Sequence, residues 1–423
     1  MPPGFHLLIA AQFTSALADN ALLIVGIALL AEQGYPPWWA PMLKFGFTLA
    51  YVLLAPGLGP LADAMPKARL MAWMNGVKLT GAVALVAGLH PALAFTLIGL
   101  GAAAYAPAKY GLITEIVPSS RLVVANGWIE VTVVGAALLG TVLGGVLVSP
   151  GLLGTVPADT LSAWLTSATD GTHRTAYAAS LAAVIALYLL ASALNLGVPD
   201  SGARYPRSPT SPVALCRDYL RAHRTLWRDP EGGLSLAATT VVWGAGATLQ
   251  FVVLRWATEV LGLTLERAAY LQAVVALGVV AGAVTAGRLV SLHQARRMLP
   301  LGVALGLLIP LLARVDSLAL ALPLLALAGA AGGLLIVPMN ALLQHRGVTV
   351  LSAGRSIAVQ GFNENASVLA MLGVYGLLVG WEVPIAPLMT GFGLLVAAAL
   401  GWLTWRGSRP VTPPTAEGGP ASP

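Results

Sequence analysis

The chain has 423 residues, of which 57% are apolar and only 9% are charged, and its net charge is +6. A typical soluble domain carries about 25% charged residues, so the composition excludes a soluble protein and predicts an integral membrane protein. The basic residues are dispersed among loops, and no nucleic-acid partner is predicted.

Twelve apolar runs come close to the ~20 residues that a helix needs to cross a bilayer. They cover residues 6–31, 41–62, 70–89, 92–113, 122–148, 175–197, 234–259, 267–291, 299–314, 317–343, 354–380 and 384–405. The ninth run is the shortest. The 47 glycines are typical of membrane helices that pack through small residues. The predicted fold class is all-α integral membrane, with twelve transmembrane helices in two six-helix bundles.

The distribution of basic residues predicts the orientation. Loops after odd-numbered spans hold only Arg174, Arg267 and Arg314, whereas most other arginines lie in loops after even-numbered spans. The positive-inside rule then predicts that both termini are cytoplasmic. The first apolar run lacks a basic leader and is too long for a signal peptide, so we expect it to remain as a span.

A proline- and arginine-rich linker separates two predicted bundles. The bundles cover 1–198 and 234–406, the cytoplasmic linker covers 199–233, and the Pro/Gly/Ser-rich tail 407–423 is predicted to be disordered. Four linker arginines repeat at helical spacing, which indicates an amphipathic helix at the cytoplasmic surface, with a solvated charged face favoured. They are Arg217, Arg221, Arg224 and Arg228.

In the first span, Gln12, Ser15 and Asp19 share one helix face. Asp19 lies roughly 20 Å from the cytoplasmic end at 1.5 Å per residue, past the middle of the bilayer core. The adjacent Asn20 adds an amide. A charge at this depth favours a role in transport over a structural pairing. Lys78 of the third span is a candidate partner of Asp19 or of a carboxylate in the fifth span.

The fourth span carries Lys109 shortly after Pro107. Proline frees a backbone carbonyl and bends a helix, which suits a gate or a cavity wall. Glu130 in the fifth span lies in the same cytoplasmic half as Lys109, so the two are predicted to interact directly or across a substrate. Neutral pairing of this kind is also what a purely structural role would produce.

Spans 5 and 11 each show an amide and a carboxylate one helical turn apart. Asn126 precedes Glu130 by four residues, Gln360 precedes Glu364 by four, and Asn363 flanks Glu364. Unpaired amides against lipid would be costly, so these faces must point inward. Two interpretations remain open: the faces line a path, or they hold helices together.

The polar residues of the spans recur in the second half at a nearly constant offset. An offset of 231 relates Asp19 to Gln250 and Lys109 to Asn340, and an offset of 234 relates Asn126 to Gln360 and Glu130 to Glu364. Ionisable groups at matching depths in a duplicated bundle mark a substrate or ion path. The chain is therefore predicted to be a transporter.

Catalytic signatures are absent from the sequence. There is no nucleophile elbow, no phosphate-binding glycine loop and no paired-histidine zinc motif. The six histidines lie in loops or at span ends without ligand spacing, and the single cysteine, Cys216, rules out an intrachain disulfide. We predict neither an enzyme nor a bound cofactor or metal.

Twelve spans, a duplicated half and the turn between spans 2 and 3 resemble the major facilitator superfamily. The turn holds Gly59, Asp63 and the basic pair Lys67 and Arg69, and is similar to that family's gating-loop motif, although the usual glycine before the basic pair is missing. Gly59, Asp63 and Arg69 are the predicted gating residues. The resemblance implies that this turn gates the cytoplasmic side.

Four segments resemble the bacterial lysophospholipid transporter family over nearly the whole chain. They are Gln12 to Leu23, Ala103 to Gly111, Ala125 to Gly127 and Val337 to Gln344. The resemblance implies that lysophosphatidylethanolamine and related lipids move from the outer to the inner leaflet of the bacterial inner membrane. A partner acyltransferase that also activates fatty acid on acyl carrier protein would re-acylate them there.

The same resemblance assigns cavity roles to Asp19, Asn20, Lys109, Glu130 and Glu364. It also implies an arginine in span 7, where this chain has Gln250, so headgroup handling by the second half is expected to differ.

Two other functions are compatible with the pattern. A proton-coupled exporter of drugs or metabolites would use Asp19 and Glu130 as proton carriers. A non-transporting scaffold for a lipid-repair enzyme would not require Asp19. Headgroup-dependent lysolipid transport distinguishes the first interpretation from both.

Overall fold

The computed structural model describes residues 1–36, 39–155, 160, 176–205 and 211–408, and every regular element within them is helical. In chain order the helices are α1 (Pro3–Glu32), α2 (Trp39–Leu53), α3 (Ala55–Ala64), α4 (Lys67–Val86), α5 (Pro91–Ile116), α6 (Leu122–Leu147), α7 (Pro150–Leu153), α8 (Ala178–Leu196), α9 (Pro212–Arg228), α10 (Pro230–Glu259), α11 (Leu265–Leu289), α12 (Leu299–Leu312), α13 (Leu318–Val350), α14 (Ala353–Gly380) and α15 (Ile385–Gly407).

The described helices match the predicted membrane spans. Ten candidate spans are long and apolar enough to cross a membrane, and α2 with α3 forms an eleventh, bent by 69°. The remaining predicted span is α4, which is less apolar because it carries the buried residues Asn75 and Lys78. The all-helical membrane fold predicted from the sequence is confirmed.

The second span differs from the continuous helix predicted over 41–62. It breaks at Leu54, where α2 ends and α3 begins. Pro56 lies in the first turn of α3 and Pro60 inside it. Proline has no N–H to donate to the preceding turn and its ring clashes with that turn, so the two prolines favour a new helix start here.

The structure also shows where helices extend beyond the apolar runs. α13 continues to Val350, past the predicted end at 343, because its continuation packs against protein at Gln344 and Gly347 and need not be apolar throughout. The linker helix predicted from arginine spacing is present as α9. Most of the predicted outer loop 149–174 and the tail 409–423 lie outside the described residues.

The two halves share an apolar core at one end only. At the end that carries the loops 65–66, 117–121 and 351–352, Leu112 and Leu122 pack in one cluster with Ile336. At the opposite end, helices of each half form a separate cluster. The halves are therefore packed together at the first end, the closed end, whereas at the other, open end no core cluster of described residues joins them. We call the space between the halves on that side the groove.

Candidate functional site

Asp19 and Lys78 form an ion pair inside the first half. The Lys78 ammonium lies 2.7 Å from Asp19 Oδ2, and Tyr188 donates a hydrogen bond to Asp19 Oδ1 at 2.8 Å. Lys78 also donates to Ser15 Oγ at 3.0 Å, and Ser15 in turn donates to Asn75. Lys78 is buried, so the carboxylate and the hydroxyl oxygen replace the hydration it loses.

Helix periodicity explains this arrangement. Ser15 and Asp19 are one turn apart on α1, and Asn75 and Lys78 are three residues apart on α4, so each helix presents its pair on one face. The sequence allowed Lys78 to pair with Asp19 or with the carboxylate of span 5, and the structure pairs it with Asp19. Tyr188 on α8 was not anticipated from the sequence.

Lys109 is a buried cation with a different environment. Its ammonium lies 3.3 Å from Gln12 Oε1 and 4.2 Å from the centre of the Tyr110 ring. The amide nitrogen of Gln12 donates a hydrogen bond to the Thr132 hydroxyl on α6, at 2.6 Å. Among the described residues Lys109 forms no ion pair, although it interacts electrostatically with Glu130 at longer range. The direct Lys109–Glu130 contact allowed by the sequence is absent.

Two carboxylates, Glu130 and Glu364, form no ion pair with a described residue. Glu130 is only 8% exposed and forms neither a hydrogen bond nor an ion pair with a described residue. Glu364 accepts a hydrogen bond from Gln360 at 2.8 Å, and Gln360 also donates to Asn340 at 2.9 Å. Glu364 interacts electrostatically with Glu130, so the two halves bring their carboxylates towards each other.

The site therefore holds one ammonium and two carboxylates that no ion pair within the described chain neutralises. They are Lys109, Glu130 and Glu364. Buried charges of this kind are costly unless a partner of opposite charge completes them. A ligand anion could pair with Lys109, and a ligand cation could lie between the two carboxylates, which would leave one negative charge.

Asn126 does not form a hydrogen bond with Glu130, although its counterpart Gln360 forms one with Glu364. Asn126 donates to Gln344 Oε1 at 2.8 Å and accepts from Gln344 Nε2 at 2.9 Å, and both side chains are buried. This amide pair links α6 of the first half with α13 of the second. This contact is the one expected from the second of the two interpretations, in which the amide holds helices together.

Three predicted cavity residues lie apart from this cluster. Asn363 accepts a hydrogen bond from Trp227 on the linker helix α9, at 3.3 Å. Its side chain is therefore turned towards α9 and not towards Gln360, which donates to Glu364. Asn20 donates to the backbone of its own helix, at Ala16 O. The Gln250 side chain is exposed and forms no hydrogen bond with a described residue. Helical spacing alone did not resolve which side of each helix these residues occupy.

The predicted gating turn joins the two halves. Asp63 accepts hydrogen bonds from the Gly354 backbone N–H, at 3.0 Å, and from the Ser352 hydroxyl at the start of α14. A carboxylate at a helix N-terminus is favoured by the unpaired N–H groups there. A Cβ on Gly59 would lie 2.8 Å from Arg355 Cα, so glycine is what allows α3 and α14 to cross this closely.

Lys67, rather than the predicted Arg69, occupies the centre of this gate. Lys67 pairs with Glu115 at 2.6 Å and lies 3.6 Å from Asp63, and all three side chains are almost fully buried. Tyr205 of the linker donates to Glu115 at 2.9 Å. Arg69 is exposed and has no bonded partner in the described chain.

Sequence reasoning missed several polar residues of these networks: Asn75, Glu115, Thr132, Tyr188, Ser201, Tyr205, Gln344 and Ser352. Their hydrogen-bond partners lie in other spans or in the linker, so spacing along one helix does not reveal them. Only Glu115 could have been singled out from the sequence, because it is a carboxylate near a span end.

Comparison with known proteins agrees with this architecture. The family model for the Major Facilitator Superfamily matches residues 8–362 of this chain. The lysophospholipid transporter LplT of Escherichia coli O6:K15:H31 strain 536 is 40% identical over 398 residues, which cover 94% of each protein. The LplT of Shigella flexneri is 41% identical over the same shares of both chains.

Solved structures share the fold at low sequence identity. The fucose:proton symporter FucP in its outward conformation aligns with a TM-score of 0.69 and 17% identity, covering 96% of this chain and 99% of that one. A bacterial homologue of the iron transporter ferroportin aligns with a TM-score of 0.71 and 14% identity, covering 96% and 98%.

Proposed function

The chain belongs to the major facilitator superfamily and, within it, to the lysophospholipid transporters, and on this basis we propose that it moves lysophospholipids between the leaflets of a bacterial membrane. The proposed direction is from the outer to the inner leaflet of the inner membrane, with both chain termini in the cytoplasm. Lysophosphatidylethanolamine and related lipids are the proposed substrates. The chain acts as a transporter and not as an enzyme.

One observation carries the proposed binding mode: Lys109, Glu130 and Glu364 lack ion-pair partners among the described residues, whereas Asp19 and Lys78 neutralise each other. The lysolipid phosphate would bind the Lys109 ammonium, with Gln12 beside it. The substrate ammonium would bind Glu130 and Glu364. Asp19 and Lys78 would shape the wall of the site rather than bind charge.

The acyl chain has an apolar route beside this site. The part of α14 that follows Gln360 has no buried residue, and no atom lies within 4 Å of a Cβ built on Gly373. This part of α14 is therefore accessible to an acyl chain. A tail that stays along it avoids transfer through water, which would cost about 0.8 kcal/mol per methylene.

Movement of the substrate requires the closed end to open. The contacts that hold this end are Asp63 with Ser352 and Gly354, and Asn126 with Gln344. Separation of the halves there would release the headgroup on the cytoplasmic side. A functional link to an acyltransferase that consumes the delivered lysolipid belongs to the same proposal.

The test is a leaflet-resolved assay of labelled lysophosphatidylethanolamine in reconstituted vesicles. We expect Lys109→Gln to reduce flipping at least about tenfold, because a lost charge-assisted contact is worth about 1.5–3 kcal/mol. Lys44→Gln is the matched control, since Lys44 is an exposed lysine of α2 outside the site. Equal rates for both variants would contradict the assigned role of Lys109.

The same vesicles distinguish the other functions. An exporter of drugs or metabolites would move those solutes and ignore the lysolipid headgroup. A scaffold would leave the label in its original leaflet, with or without Lys109. Either outcome would refute lysolipid transport.

A further inference from the structure

The linker helix α9 lies against the junction of the two halves. Its Tyr219 and His223 rings pack against Phe362 of α14, with ring centres 5.8 Å and 5.9 Å apart. Its Asp218 pairs with Arg355 at 2.9 Å. A small cavity at this position is lined by residues of α3, α9 and α14 together. One face of α9 therefore covers the crossing of α3 and α14.

The opposite face of α9 is basic. At 100° per residue, its four arginines lie within an arc of about 60°, turned away from the buried Ala222 and Leu226. All four are exposed, and none forms a hydrogen bond or ion pair with a described residue. They are Arg217, Arg221, Arg224 and Arg228. The helix's only carboxylate, Asp218, is already paired with Arg355.

Apolar side chains border the basic stripe. Val213 is 70% exposed and Leu220 is 65% exposed, and both lie on the same edge of the stripe. A helix with exposed aliphatic residues beside a row of arginines is typical of one that lies in the headgroup region of a bilayer. Because α9 leads directly into the membrane helix α10 at Asp229–Pro230, its basic face lies at the level of a membrane surface.

We propose that the basic face of α9 binds the phosphates of anionic lipids in the adjacent leaflet, and thereby holds this helix over the crossing of α3 and α14. The stripe offers four guanidinium groups and no exposed carboxylate, which complements an anionic lipid surface. This proposal does not depend on the identity of the transported substrate.

The native Cys216 allows a direct test in the full-length protein, because it is exposed and is the chain's only cysteine. An environment-sensitive fluorophore on Cys216 reports the contact of α9 with lipid headgroups. The protein is reconstituted in phosphatidylcholine vesicles with or without about one-third phosphatidylglycerol, each doped with a headgroup-labelled nitroxide quencher. We expect at least about threefold stronger quenching when phosphatidylglycerol is present, and weaker quenching as salt increases.

The variant with all four arginines changed to glutamine should lose this dependence on phosphatidylglycerol, and the variant with all four changed to lysine should retain it. The control removes the same charge from exposed arginines of other loops and helix ends: Arg121→Gln, Arg288→Gln, Arg297→Gln and Arg406→Gln. Equal loss in the control would show that only net charge matters and would overturn the proposal. Quenching that ignores phosphatidylglycerol in the unmodified protein would also overturn it, and would leave an acidic protein as the partner of this face.

Discussion

Asn126 on α6 and Gln344 on α13 exchange two hydrogen bonds across the junction of the halves, at 2.8 Å and 2.9 Å. Both amides are buried, so separation of the halves would leave three polar groups without partners unless water entered, since Asn126 Nδ2 also donates to Leu122 O of its own helix. The pair therefore stabilises the state that is closed at this end. Asp63 acts in parallel, because it caps the first turn of α14 from α3.

The first prediction concerns this junction. In a Cys216→Ser background, Asn126→Cys combined with Gln344→Cys should be cross-linked by a short bifunctional methanethiosulfonate reagent, because cysteine is shorter than either amide and the two thiols would not meet directly. The cross-link would hold the closed end shut and abolish lysolipid flipping. We expect reduction with dithiothreitol to restore transport.

Each single-cysteine variant serves as a control, since it removes the amide pair but cannot cross-link. Transport by the cross-linked double variant at the rate of its reduced form would mean that this junction does not open during the cycle.

The second prediction separates charge pairing from transport at Asp19. Lys78 is only 2% exposed, so Asp19→Asn leaves a buried ammonium without its carboxylate. Loss of one partner of a buried pair costs about 3–5 kcal/mol. We therefore expect Asp19→Asn to lower the melting temperature.

Combined Asp19→Asn and Lys78→Gln should recover much of the stability, since the pair is removed together. Thermal unfolding in detergent measures the cycle. Strictly additive destabilisation would show that the ion pair contributes nothing to folding. Full transport by Asp19→Asn would remove Asp19 from the transport mechanism altogether.

Sequence periodicity predicted a large part of this molecule because the bilayer imposes simple rules. Runs of about 20 apolar residues must be helices, and a charge such as Lys78 in such a run must find a partner inside the protein. The duplication offset then identified Glu130 and Glu364 as counterparts, and the structure brings both into the groove.

The same reasoning could not predict which polar side chains form hydrogen bonds with each other. Asn126 and Gln360 occupy equivalent positions, yet Asn126 bonds across the halves to Gln344 while Gln360 bonds within its own half to Asn340. The outcome depends on the rotation and crossing of neighbouring helices, which spacing along one helix does not report. Gly140 of α6 shows the same limit, since it packs against α1 of its own half, a contact that its position along α6 does not reveal.

The third prediction concerns headgroup choice by Glu364. If Glu364 binds the ammonium of ethanolamine, Glu364→Gln should reduce transport of lysophosphatidylethanolamine more than that of lysophosphatidylglycerol, which has no cation. A ratio change of about tenfold corresponds to one charge-assisted hydrogen bond. Competition between the two lipids in one vesicle preparation measures the ratio directly.

Asn363→Leu provides a neighbouring control, since Asn363 contacts α9 rather than the groove. Equal loss for both lipids in Glu364→Gln would indicate a structural role for this carboxylate.

The fourth prediction concerns the linker. Tyr205 and Ser201 both donate to Glu115, which pairs with Lys67. Burial, followed by the charge of Glu115, raises the pKa of the Tyr205 phenol, so this group remains a donor at physiological pH. Tyr205→Phe removes the donor but keeps the ring that lies 4.5 Å from the Lys67 ammonium.

We expect Tyr205→Phe to destabilise the protein by about 1 kcal/mol, the net value of one hydrogen bond, and to make the closed end open more readily. Accessibility of a cysteine at Asn126 to a water-soluble maleimide, in the Cys216→Ser background, measures the opening. Unchanged labelling would mean that the hydrogen bond from the linker to Glu115 does not affect the opening of the gate.

The last prediction concerns how the substrate enters. The two halves meet along two seams: α2 and α3 with α14, where Tyr51 lies 3.9 Å from a Cβ built on Gly361, and α6 with α11, where Gly127 faces Ala283. A lysolipid whose tail is already in the outer leaflet can enter sideways through a seam above these contacts. A water-soluble solute would enter through the open end of the groove instead. Cysteine pairs placed outward from Tyr51–Gly361 and from Gly127–Ala283, cross-linked one seam at a time, should identify the route, with the seam used by the lipid losing flipping when locked. Unimpaired flipping with both seams locked would mean that the lipid does not enter from the membrane. The proposed lateral binding of its acyl chain would then lose its physical basis.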